Sequence, residues 1–260
     1  MRRVATARRW IRHGGVRPVA AVAGSWLATR LAPDWVHRNA APPLHDFVRL
    51  GGPLATSGRA FVRRLGWSDT ELDAVAREYH DVSCRLAEQY ERTDLAFPER
   101  FGVETETGFF LYASTRLLRP STVVETGVAD GRSSFLFLAA LERNGHGTLH
   151  SFDVNPRAGG LIHGHDRWRL TVSDRTAPEA AFARALRGIG SVDLFFHDGD
   201  HRYMGQLLEY EHVWPAMRPG GLFASDDVDV SRAFIDFCRA RGRRPEFLFD
   251  NRKITGAMRT

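Results

Sequence analysis

Two aspartates and two histidines crowd into ten residues directly behind an apolar run in "LFFHDGDHRY", Leu194 to Tyr203. A second acidic pair, Asp226 and Asp227, closes another apolar run in "GGLFASDDV". An ionised carboxylate at the end of a buried segment is costly without a partner, and carboxylates at close range repel unless protons or a cation neutralise them. If the two apolar runs are adjacent parallel strands, Asp198, Asp226 and Asp227 meet at one rim. A divalent metal with oxygen ligands, with Mg²⁺ the best match, would neutralise them there and keep coordination positions free for a substrate's hydroxyls. Asp200 reads as the cap of the helix that follows, with a ligand role as its alternative. His197 points away from Asp198 by strand alternation. The plainer reading of "SDDVD" is turn chemistry, and that of His201 is a helix-start residue.

A second group with chemical potential is "ETGVADGRSS", Glu125 to Ser134, a glycine loop between a strand and a helix. Gly127 and Gly131 allow a tight turn and close approach to a ligand, while the helix amides point toward the same crevice. The next strand ends in Asp153 of "HSFD", placed to accept hydrogen bonds from a ribose diol or to cap its own turn. The dinucleotide fingerprint GxGxxG needs glycine where this loop has Ala129 and Arg132, so a nicotinamide enzyme is not supported.

These residues need elements to position them. From Ser121 onward, short apolar runs alternate with helical segments: "TVVET", "GTLHSFD", "WRLTV", "VDLFFHD", "GGLFASD", "PEFLFD" and "KITGAMR" read as strands, with a helix after each of the first five. Such a pattern predicts an α/β fold, a parallel sheet covered on both faces. The last two runs are joined only by "NRK", too short for a crossover, so that pair must be antiparallel. Ligands bind outside the carboxyl ends of strands in such sheets, where all the acids above are predicted to lie. Upstream, Ser68 and Glu71 form a capping box for a long amphipathic helix through Tyr90, and a second helix spans Glu106 to Leu118, stopped by Pro120. Phe109, Phe110 and Tyr112 read as core residues of that helix. Glycine, proline and arginine clusters before Trp67 predict little continuous regular structure. The organisation expected is an irregular or partly helical extension over 1–66, a helical lead-in over 67–120 and a catalytic domain over 121–260.

At 260 residues and 43% hydrophobic content the chain is a globular protein with a sizeable core. Its net charge of +5 is carried almost wholly by arginine, since Lys253 is the only lysine. The arginines lie among acids without interleaved aromatics, which argues against a nucleic-acid partner. The N-terminal cluster Arg2, Arg3, Arg8, Arg9, Arg12 and Arg17 precedes "PVAAVAGSWLA", too short to span a bilayer, so no membrane partner is expected. Cys84 and Cys238 have no ligand or disulfide spacing, and a cytoplasmic protein is the expectation. His163 and His165 in "GGLIHGHDRW" lack a third ligand and read as polar loop residues, or as part of a substrate-covering flap.

The spacing of Glu125, Gly127 and Gly131 resembles motif I of class I S-adenosylmethionine-dependent methyltransferases. The stretch "HDGDHRYMGQLLEYEHVWPAMRPGGLFASDDV" is similar to a metal-dependent branch that methylates hydroxyls of macrolide sugars and related natural products. The resemblance covers about Glu104 to Thr260. It implies a Rossmann-like, seven-stranded, mostly parallel sheet with an antiparallel last strand. S-adenosylmethionine would be held by Glu125, Gly127, Gly131, Ser133, Asp153, Asp174 and Asp198, with Asp153 on the ribose and Asp174 near adenine. Asp198, Asp226 and Asp227 would bind Mg²⁺, and His201 would be the general base toward a small-molecule hydroxyl. The first acid of the pair, often glutamate in this branch, is here Asp226. Two other functions stay open: a metal-independent methyltransferase of the same fold, and a noncatalytic basic nucleic-acid-binding protein. A homo-oligomer is a further possibility for the N-terminal region.

Overall fold

Alternation along the strands of the second half sends side chains to two different helical layers. Val123, Leu194, Phe196, Leu222, Ala224, Leu248 and Ala257 enter one hydrophobic cluster, and their neighbours Val124, Phe195, Phe223, Phe247 and Met258 enter the other. The computed structural model describes residues 38–173 and 178–260, of which Ala41–Thr260 form one compact unit. Asp174, the N-terminal arginine cluster and the apolar run after it lie outside the described residues.

The strands are β1 (Thr122–Thr126), β2 (Thr148–Asp153), β3 (Trp168–Val172), β4 (Val192–His197), β5 (Met217–Ser225), β6 (Glu246–Asp250) and β7 (Lys253–Arg259). They form one seven-stranded sheet in the order β3-β2-β1-β4-β5-β7-β6, and β7 alone runs against the others. The antiparallel end required by the short "NRK" link is therefore present. β5 starts earlier than its apolar run suggests, and its register with β4 shifts between the Val192–Met217 and Leu194–Leu222 pairs.

One sheet face is covered by α2 (Gly58–Arg64), α3 (Asp69–Arg92), α4 (Thr105–Leu118) and α5 (Arg132–Asn144). The other is covered by α1 (Leu44–Gly51), α6 (Pro178–Ile189), α7 (Tyr203–Val213) and α8 (Ala233–Ala240). The capping box of Ser68 and Glu71 is formed at the start of α3, whose Leu72, Val75, Val82 and Leu86 are buried. Phe110 and Tyr112 on α4 are fully buried. No helix of the described residues is long and apolar enough to cross a membrane.

One region departs from the sequence pattern. The helix expected between β2 and β3 is absent: only the 3-10 turn Gly160–Ile162 interrupts that loop. Gly159 and Gly164 take positive φ of 85° and 78°, and the Trp168 ring lies where a side chain at Gly159 would stand. Before Trp67, the short helices α1 and α2 dock on the sheet by specific contacts. Ala55 exchanges backbone hydrogen bonds with Phe247 and Phe249 beside β6, and Arg232 pairs with the buried Asp46 at 2.6 Å.

Glu125 at the end of β1 is fully buried and joins three strands to a helix. Its carboxylate accepts hydroxyls from Ser133 (2.5 Å) and Ser134 (2.5 Å) of α5 and from Ser151 (2.8 Å) of β2. Ser151 in turn accepts the indole N–H of Trp168 on β3 at 3.0 Å. Burial pushes this carboxyl from 4.5 up to about 7, with the three hydroxyls pulling the other way. Between those values the folded state holds a proton that the unfolded chain lacks, so the group's contribution to stability falls as pH rises, by up to about 3 kcal/mol. Urea unfolding from pH 4.5 to 8 should show Glu125→Gln gaining on the wild type by about that amount as pH rises. A stability difference independent of pH would mean that the carboxyl does not titrate in this range.

Candidate active site

The carboxyl ends of β1 to β4 border a cavity of about 600 Å³ lined by Gly127, Val128, Asp153, Asp198, His201 and Asp227 among others. Its floor is the glycine loop. Gly127 has φ 79°, and a side chain there would run into the carbonyl of Asp198. Gly131, at φ 94°, opens α5. Ala129 between them is left-handed at φ 48°, a conformation that costs a residue with a side chain on the order of 1 kcal/mol. Asp153 holds it there: one carboxylate oxygen accepts the amides of Val128 (2.9 Å) and Ala129 (3.3 Å), and the other accepts that of Asn155 at 2.8 Å. Asp153 thus ties down the loop and faces the cavity at once; Oδ2 is filled by its two amides, and Oδ1 keeps a second lone pair for a ligand. Asp130 accepts the amides of Ala96 and Phe97 at 2.9 and 3.0 Å, which pins the segment carrying Phe97, Arg100 and Phe101 along the cavity.

Three of the residues expected at the cofactor stand behind this surface. Glu125 and Ser133 are bonded to each other beneath the loop, and Gly131 packs against Gly159 and Ile162. They shape the loop and do not line the cavity. Asp174 lies outside the described residues.

Parallel pairing of His197 with Ser225 brings the ends of β4 and β5 together, as the acid pattern requires. His201 Nε2 lies 3.8 Å from Asp198 Oδ1 and 3.4 Å from Asp227 Oδ2. Asp198, His201 and Asp227 each offer a ligand atom, all within 4.8 Å of one another. Asp227 reaches this position through a left-handed backbone at φ 49°.

Asp226 differs from expectation. It is fully buried and turned away, with Oδ1 accepting the Thr255 hydroxyl at 2.7 Å and Oδ2 accepting from Lys253 Nζ at 3.1 Å. The same ammonium stands 3.0 Å from Asp227 Oδ2. His201, read as a base, therefore joins the potential ligand cluster, and Asp226, read as a ligand, leaves it. Lys253 was not among the residues picked out by sequence; the signal available was a lone lysine opening a core strand.

Electrostatics follow from this packing. Burial, reinforced by Asp226, holds the Asp198 carboxyl well above the usual range, and its carboxylate accepts no hydrogen bond among the described residues. Burial would lower Lys253, but Asp226, Asp198 and Asp227 together raise it. Burial, with His197 beside it, pushes His201 down to about 4. A carboxylate 9% exposed and without a donor among the described residues, beside a second carboxylate, is a donor pair that fits a divalent cation, with the imidazole nitrogen at hand either as a third ligand or as a base beside it.

The remaining residues fall outside this cluster. Asp200 accepts the Arg202 amide at 3.1 Å and pairs with its guanidinium, which is turn capping. His197 is on the other side of β4, its Nδ1 2.7 Å from Glu209 and 3.2 Å from the Thr126 hydroxyl. His165 pairs with Glu142 at 2.9 Å, and His163 packs edge-on against Trp168.

Residues 124–228 match the family model of a methyltransferase domain. No curated protein matches the chain. Among solved structures, the O-methyltransferase from Bacillus cereus in complex with S-adenosylhomocysteine aligns over 78% of this chain and 96% of its own, at 15% identity and a TM-score of 0.51. The S-adenosylhomocysteine-bound methyltransferase PaMTH1 of Podospora anserina aligns over 75% and 98%, at 15% identity and 0.52. The O-methyltransferase TomG of Streptomyces achromogenes, involved in tomaymycin synthesis and solved with S-adenosylmethionine, aligns over 78% and 95%, at 17% identity and 0.51. At these identities the likeness is one of fold. Strand order, the antiparallel β7 and these alignments together make the described chain a class I methyltransferase fold, with its methyltransferase-domain match centred on the strands that carry the cavity.

Proposed function

We propose that the protein transfers a methyl group from S-adenosylmethionine to a hydroxyl of a small molecule, assisted by Mg²⁺. A sugar or another natural product is the acceptor class that the motif resemblance implies. The observation that carries this reading is the meeting of Asp198, His201 and Asp227 at the edge of a cavity whose other side is the Asp153-braced glycine loop. The catalytic part would be residues 121–260, with 67–120 as a helical lead-in. The free thiols of Cys84 and Cys238 suit a reducing compartment such as the cytoplasm.

The residues divide the work by position. The amides and close turn of the loop at Gly127 would receive the methionine end of the cofactor, and the spare lone pair of Asp153 Oδ1 would receive a ribose hydroxyl. Asp174 stays the proposed adenine neighbour. Asp198 and Asp227 would hold the cation, with Asp226 supporting them from behind. When bound, a divalent cation at this place supplies positive charge that makes an acceptor hydroxyl more acidic. His201 is held neutral by burial, so its Nε2 lone pair is free to take that hydroxyl's proton. Phe97 and the half-exposed Phe101 give the cavity an apolar side that would help keep water from the reacting groups. No covalent enzyme intermediate is required.

A metal-independent methyltransferase is the second reading, favoured by the Lys253 ammonium already standing among the acids. Calorimetric titration separates the two. S-adenosylmethionine should bind saturably, and Mg²⁺ should bind the wild type but not Asp198→Ala; cofactor binding without a metal isotherm would favour the second reading, and binding of neither would end both. His201→Gln should leave cofactor affinity unchanged and lower turnover by about 10²–10⁴-fold once an acceptor is found. Unchanged turnover would remove the histidine from the chemistry.

A further inference from the structure

The acid cluster contains a positive charge that the motif resemblance did not supply. Lys253 is the first residue of β7, delivered to the end of β5 by the tight β6–β7 turn in which it pairs with Asp250. Its side chain is 7% exposed. Both oxygens of Asp226 are engaged on the side away from the cluster: Thr255, two residues further along the same strand face, donates to Oδ1, and Lys253 donates to Oδ2. The ammonium also shares Asp227 Oδ2 with the imidazole of His201, at 3.0 and 3.4 Å. Arg252, the other cation nearby, is engaged by Glu104 at 2.7 Å.

We infer that Lys253 is a resident cation of this cluster: it holds Asp226 out of the metal-ligand set and fixes the charge that a metal ion meets. With the carboxyls ionised, as a bound cation requires, Asp198, Asp226 and Asp227 with one ammonium carry a net charge of −2, which one divalent ion neutralises. Without the lysine the cluster would stand at −3, with Asp226 free to turn toward the ion. Lys253 is thus a positioning residue that limits metal affinity, and Asp226 is its counter-ion. This rests on the proposal that a divalent cation binds here.

The test is titration of Mn²⁺ into the full chain, followed by its electron paramagnetic resonance signal, for wild type, Lys253→Met, Asp226→Asn and the double variant. Charge arithmetic sets the order: Lys253→Met binds about tenfold or more tighter than wild type, the double variant returns close to wild type, and Asp226→Asn binds more weakly than either. The double variant removes both charges of the buried pair, so the comparison with Asp226→Asn stands even if Lys253→Met fails to fold: the double must bind tighter. Lys253→Met binding no tighter than wild type overturns the inference. So does loss of the site in both variants that lack Asp226, since Asp226 would then be a ligand itself. If wild type binds no Mn²⁺, the metal reading falls; a site gained in Lys253→Met then still assigns the cation's place to the lysine, and no site in any variant overturns both.

Discussion

A carboxylate sealed from water has to be answered by donors, and the answer given to Glu125 organises everything around it. Three hydroxyls reach it from α5 and β2, and the indole of Trp168 extends the same chain of hydrogen bonds to β3. That network fixes where α5 begins and how β2 lies beside β1. The loop between β1 and α5 can then adopt the narrow path past the carbonyl of Asp198 that only Gly127 permits. Asp153, at the end of β2, arrives in register to hold the amides of Val128 and Ala129. A polar group beneath the loop therefore shapes the ligand surface above it without touching a ligand.

At the other side of the cavity the balance is drawn differently. Asp226 is satisfied from two sides, Asp227 is bent into an unfavourable backbone conformation, and Asp198 has no donor among the described residues. Strain and unanswered charge persist in folded proteins where the surrounding structure over-determines them. Here the determinants are the parallel pairing of β4 with β5 and the antiparallel return of β7. Both are backbone features, so the electrostatic imbalance is built into the topology.

The sheet was legible because near-continuous apolar runs alternating with helical segments, and a three-residue link, leave few topologies open. The meeting of Asp198 with Asp227 followed from strand adjacency, and Asp153 from its place at a strand end. Alternation placed His197 on the far side of β4, but side-chain direction beyond the strand ends was not legible. Asp226 and Asp227 are consecutive in sequence, yet one faces Thr255 and Lys253 while the other faces His201, because the backbone at Asp227 is left-handed. Glu125 and Ser133 belong to the motif's sequence but sit beneath its surface, since alternation on β1 sends Glu125 toward α5. The loop after β2 misled for a local reason: glycines with positive φ replaced the expected helix. The helices before Trp67 are short, and their apolar residues are explained only by the sheet they dock on.

The lysine that opens β7 has a consequence outside catalysis. Because all other basic side chains are arginine or histidine, a protease specific for lysine has one bond to cut, Lys253–Ile254. That bond lies within the β6–β7 pairing, with Ile254 opposite Phe249 and the lysine side chain buried among acids. Cleavage demands an extended, accessible segment, which this one provides only after the far edge of the sheet has opened. The lysine thus gives this sheet a built-in reporter of that opening, readable as cleavage between Lys253 and Ile254.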